Sequence, residues 1–120
     1  MVTVAAVLSG WSLLAGLFGV GLVQPMPIMA TIGCVEPDGR DGFNLARASE
    51  PQALLERMPA VPSADTPLGT KTLKLVGTLE EFRVSTHVGK KVWVKGLLNP
   101  GESLDLLNLT SITQLAVACD

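Results

Sequence analysis

Three sets of side chains have types and spacing suited to chemistry: a pair of cysteines, a lone histidine, and a lysine–tryptophan–lysine triplet. Cys34 and Cys119 stand 85 residues apart, and they are the two cysteines of the chain. Without a CxxC spacing, and with His87 as the one histidine, a metal pair or a redox pair lacks its partners. An even cysteine count in an exported chain reads instead as a disulfide. Closing a loop of this length contributes about 4–5 kcal/mol in the chain-entropy account. Cys34 and Cys119 are therefore expected to form a structural staple.

The triplet is Lys91, Trp93 and Lys95, alternating with Val92 and Val94. A strand here puts the indole and both ammonium groups on one face and the valines on the other. Aromatics flanked by cations on a strand face can hold oligosaccharides or single strands. The same pattern also serves packing, with Trp93 covered by a loop or helix while the lysines extend past it. A candidate binding surface and a packed tryptophan thus share one pattern.

The remaining polar residues point away from catalysis. His87 falls at the end of a predicted helix, where it caps carbonyls and suits the dipole. Asp38 and Asp41 flank glycines as in a calcium loop, but Arg40 intrudes and the bidentate Glu is missing, so they read as turn residues. There is no HExxH, P-loop, GxSxG or dinucleotide fingerprint. The expectation is no catalytic residue, no metal, no cofactor and no enzyme.

Several short strands must position these groups. Residues 30–35 and 43–48 flank a Pro-Asp-Gly turn and make a hairpin. Residues 51–58 contain helix formers and are expected to add a helical turn or two, and 60–69 should be a loop. Leu73 and Leu75 alternate with Lys74 in a half-buried strand ending at Gly77. Thr78 with Glu81 has capping-box spacing, predicting a short helix whose Leu79, Phe82 and Val84 form an apolar face. A strand over 90–98 carries the triplet. After the turn at Asn99-Pro100-Gly101 comes a long last strand over 104–119, or two strands meeting at a bulge, since the alternation slips as bulged strands do.

Ahead of all this, residues 1–35 carry no charged side chain, and 2–23 is an almost unbroken apolar run. As a helix that run would be about 33 Å long, enough to cross a hydrocarbon core of about 30 Å. It is longer than a signal-peptide core and lacks the basic stretch that should precede one. Either the true start lies upstream or the segment is an uncleaved anchor. The expected organisation is a signal peptide or membrane-anchor helix over 1–23, a proline spacer over 24–29 with Pro25 and Pro27, and a folded domain over 30–120.

All twenty charges lie beyond residue 35, nine basic against eleven acidic. That balance excludes an electrostatic footprint for nucleic acid. It leaves an ordinary single domain with a thin core.

Strand, turn, strand, loop, strand, short helix, strand, strand is the order of a mainly β fold, a five-stranded OB-type barrel. Gly33-Cys34-Val35-Glu36, Phe43-Asn44-Leu45, Leu73-Lys74-Leu75-Val76-Gly77, His87-Val88-Gly89-Lys90-Lys91-Val92-Trp93-Val94-Lys95-Gly96 and Ala118-Cys119 resemble a group of small uncharacterised exported bacterial domains. Those domains have a Gly-Cys opening, a His-Val-Gly stretch before a Val-x-Val-x-Gly strand, and a terminal cysteine. The resemblance implies an OB-like fold in the periplasm or outside the cell, and it transfers no catalytic motif. Binding in OB-type barrels uses the second and third strands, so packing is the expected role of a tryptophan on the fourth.

Two functions follow as expectations. The first is a non-enzymatic envelope module that binds a ligand or partner, glycan or peptide. The second is a membrane-tethered structural or stress-response protein with no small-molecule ligand.

Overall fold

The computed structural model describes residues 26–119. The expected helix over 1–23 lies outside them, as do residues 24 and 25 of the proline spacer, whose last residue, Met29, already belongs to the first strand. Among the described residues no helix is long and apolar enough to cross a membrane.

The chain is mainly β, with six strands: β1 (Met29–Pro37), β2 (Phe43–Ala48), β3 (Gln52–Ala53), β4 (Lys71–Val76), β5 (Lys91–Asn99) and β6 (Leu106–Ala116). Five of them close on themselves. β1 pairs with β2, β2 with β4, β4 with β6, β6 with β5, and β5 returns to β1. Every pairing in this ring is antiparallel except β4–β6, which is parallel.

Alternation dictates what fills the ring. Val35, Leu45, Leu73, Leu75, Val92, Val94, Leu107 and Leu109 point inward and are almost wholly buried. The hairpin between β1 and β2 forms as expected, with Cys34 opposite Ala46 and Pro37 opposite Phe43. Asp38 builds its turn. Its carboxylate accepts the N–H groups of Arg40 at 2.7 Å and Gly42 at 3.1 Å, while Asp41 stays exposed. Gly33 lies against the Leu45 side chain and the Ala46 carbonyl of β2. A Cβ there would stand 2.6 Å from the Leu45 Cγ, so only glycine lets the strands approach.

β6 is a single long strand with two bulges. Its register against β5 slips between Lys95 and Gly96 and between Lys91 and Val92, inserting Thr110 and Leu115. Extra residues of this kind sharpen local twist and help a sheet curl.

Two expected elements are corrected. The α-helix predicted from Thr78 is a run of tight turns, with Glu81 N–H donating to Thr78 O and Arg83 N–H to Glu80 O. It ends in one 3-10 turn, Val84–His87. Arg83 adopts left-handed dihedrals (φ 52°), which stops a continuous helix. That kink sends Val84 into the ring, and Leu79 and Phe82 pack on the same core as their spacing foretold. The helical turn predicted for 51–58 is also absent. Gln52 and Ala53 pair instead with Ala30 and Met29, and Leu54 N–H donates to Ile28 O at 2.8 Å. The open edge of β1 satisfies those backbone groups better than an isolated turn could.

Candidate functional site

The outer face of β1 and β5 is built by register. Ala30 lies opposite Lys95, Ile32 opposite Trp93, and Cys34 opposite Lys91, so a row of side chains from each strand shares one surface. The triplet is on that face, as alternation predicts. The surface is covered, however, because residues 49–69 cross it as a strap.

The strap is anchored at several points. Ser49 binds β1 in both directions: its N–H donates to Ile32 O at 2.9 Å, and its Oγ accepts Ile32 N–H at 3.1 Å. Thr31 Oγ1 donates to Ser49 O at 2.6 Å. Further along, Gly69 N–H donates to Arg47 O at 2.9 Å. Leu54 and Leu68 from the strap, with Leu115 from the β6 bulge, pack against Ala30, Ile32 and Trp93. This is a second apolar cluster, outside the ring.

Each member of the triplet has a different environment. Lys91 is 5% exposed, and its Nζ donates to Ala64 O at 2.7 Å and Thr66 O at 2.6 Å. A buried ammonium must be paired in this way, and here it ties the strap to β5. Trp93 is 6% exposed at the centre of the outer cluster. Lys95 is half-buried, with Nζ 4.7 Å from the Trp93 ring centroid, a cation–π arrangement. Trp93 is thus covered by the strap, whereas Lys91, expected in that case to extend past the indole, is itself buried, and Lys95 alone of the three keeps access to water.

Two clefts flank the strap. One, of about 410 Å³, has Trp93, Ile32 and Leu54 as apolar walls and Ser49, Glu50, Gln52 and Thr66 as polar ones. The other, of about 390 Å³, lies between Ile28, Leu54 and Pro59 on one side and Lys95, Thr110 and Ser111 on the other, with Glu56 and Arg57 at its rim. Sequence reasoning missed Ser49, Gln52 and Leu54 as site residues. Residues 49–69 have no periodicity to reveal what they cover, and only the pairing of β3 with β1 brings them there.

Cys34 and Cys119 form the expected disulfide, with Cα atoms 6.0 Å apart. It closes the same outer face one row beyond Trp93, beside Lys91. A disulfide is consistent with an oxidising compartment outside the cytoplasm. Among the described residues, no three His, Cys, Asp or Glu side chains converge on a metal position.

Two polar groups outside this face have perturbed acidity. Lys74 Nζ stands 2.8 Å from Asp38 Oδ2. That bond, with the Arg40 and Gly42 N–H groups, lowers the Asp38 carboxyl to about 2. His87 ends the 3-10 turn, where its Nδ1 is buried without a hydrogen-bond partner. Burial first and the charge of Lys90 second lower its pKa below the ordinary histidine value. No family model, no curated protein and no solved structure matches this chain.

Proposed function

We propose that this chain is an exported, membrane-tethered and non-enzymatic envelope domain, an OB-type barrel that holds a ligand or protein partner beside the 49–69 strap. The ring order β1-β2-β4-β6-β5, its single parallel pair, and the turn-rich connection before β5 support the barrel reading. The 2–23 run and the Cys34–Cys119 bond support a periplasmic or extracellular site. The resemblance to small exported bacterial domains agrees with both.

The cleft beside Trp93 carries the binding reading. Its volume falls in the range of small-ligand sites, and an indole edge with hydroxyl, amide and carboxylate neighbours suits a glycan or short peptide. Chemistry on a ligand there would need an activated group. The Ser49 hydroxyl is instead committed to Thr31 and Ile32, with no imidazole among the cleft's walls.

One observation favours the second reading, a tethered structural domain without a small ligand. The strap itself already occupies Lys91 and most of Trp93.

One experiment separates the two. Full-length protein in detergent carries Trp11→Phe, which leaves Trp93 as the only indole. It is screened against envelope glycans and short peptides by melting temperature and Trp93 emission. The binding reading expects at least one compound to raise the melting temperature and shift the emission, with both responses lost in Gln52→Ala. A panel that moves neither signal sinks the ligand and leaves the structural domain.

A further inference from the structure

We propose that the tip of the strap, through Leu55 and Met58 with Met26 beside it, is a lipid-contacting surface that seats on the bilayer next to the membrane entry of the 2–23 run. This rests on reading that run as a retained anchor.

Exposure comes first. Leu55 is 94% exposed and Met58 90%, followed by Val61 at 58% and Met26 at 51%. Large apolar side chains so open to water mark an interaction surface when they cluster. Among the described residues only Val88 and Val117 are otherwise in this class, so four of the six fall in two short segments.

Those two segments are joined, and they point the same way. Ala30 pairs with Gln52 and Met29 with Ala53 in antiparallel register, and Leu54 N–H donates to Ile28 O at 2.8 Å. Reading back from β1 towards residue 26 therefore follows the direction in which the strap leaves β3. The apolar tip heads along the path that leads to the anchor.

Reach then keeps the base of the tip near the membrane. Five residue steps separate position 23 from Ile28, at most about 18 Å of extended chain. With 2–23 in the bilayer, the Ile28–Leu54 pair cannot stand farther than that from the hydrocarbon edge. The headgroup layer takes up part of the distance.

The charges fit an interface. Arg57 lies between Leu55 and Met58, and it lines the 390 Å³ cleft with Lys95, against one acidic neighbour, Glu56. Long cationic side chains that reach headgroup phosphates while apolar neighbours enter the acyl boundary are the pattern of surface-seated segments.

The test uses the full chain in phosphatidylcholine–phosphatidylglycerol vesicles that contain a phospholipid with a photoactivatable acyl chain. Cross-linked peptides are mapped by mass spectrometry. Label is expected in the 2–23 run and in the peptide spanning Leu55 and Met58. None is expected at Val117, which is exposed at the Cys34 end of the outer face. In Leu55→Ser/Met58→Ser, whose disulfide and melting temperature serve as fold controls, strap label should fall to the Val117 level while label in 2–23 persists. A labelled run with an unlabelled strap overturns the proposal and leaves the anchor standing. Chain-to-chain cross-links at the strap with no lipid label overturn it in favour of a second copy. Label in neither place removes the anchor and the proposal together.

Discussion

Lys91 and Asp38 show how a single charge is accommodated in a thin domain. The Lys91 ammonium is buried and spends its donors on two strap carbonyls. Asp38 is anchored by its own turn and by Lys74, and its carboxyl is lowered from 3.8 to about 2. The pH consequence follows from the sign of that shift. A carboxyl that is more acidic when folded contributes stability in full above its unfolded value, and loses it as pH falls through its folded one. Asp38 therefore costs the protein stability between about pH 4 and about pH 2. His87, also lowered, adds a decline that begins nearer its ordinary value of 6.5. Melting temperatures across this range should fall more steeply for the wild type than for Asp38→Asn, and only below about pH 4. Parallel curves would remove Asp38 from the account.

At the scale of elements, legibility depended on whether local pattern and global pairing agreed. The β1–β2 hairpin was readable because Asp38, Gly39 and Gly42 have turn chemistry between two apolar runs. β5 was readable from Val92 and Val94 alone. The segment after Gly77 misled because Thr78 and Glu81 satisfy a helix rule locally, whereas the core demands Leu79, Phe82 and Val84 at once and Arg83 kinks to supply them. Residues 51–58 misled for the converse reason: their helix formers were outweighed by a free strand edge that cannot be seen in one dimension. The triplet's shared face was legible, and its burial was not, since the cover comes from a segment without periodicity. Gly33 tests how tightly the elements meet. Gly33→Ala should cost about 1–3 kcal/mol by urea denaturation, and Leu45→Ala in the same chain should recover part of that loss. Strictly additive effects of the two changes would mean that the strands do not meet there.

For the whole molecule, the ring, the strap and the disulfide divide the task of stabilising fewer than a hundred described residues. The inner cluster fills the ring, and the outer one holds the strap across β1 and β5. Cys34–Cys119 closes an 85-residue loop around both. Cys34→Ser/Cys119→Ser should lower unfolding free energy by about 4–5 kcal/mol, read by chemical denaturation against the oxidised protein. A loss under about 1 kcal/mol would show that the noncovalent ring is self-sufficient. The bond also orders events in time. Cys119 follows β6, so the bridge cannot close until every strand has been made and the last one is available to pair. With two thiols in the chain, only one intramolecular bridge is possible. Maturation then calls for an oxidant but no reshuffling catalyst, and its characteristic error is a covalent dimer formed while Cys34 waits unpaired for its partner.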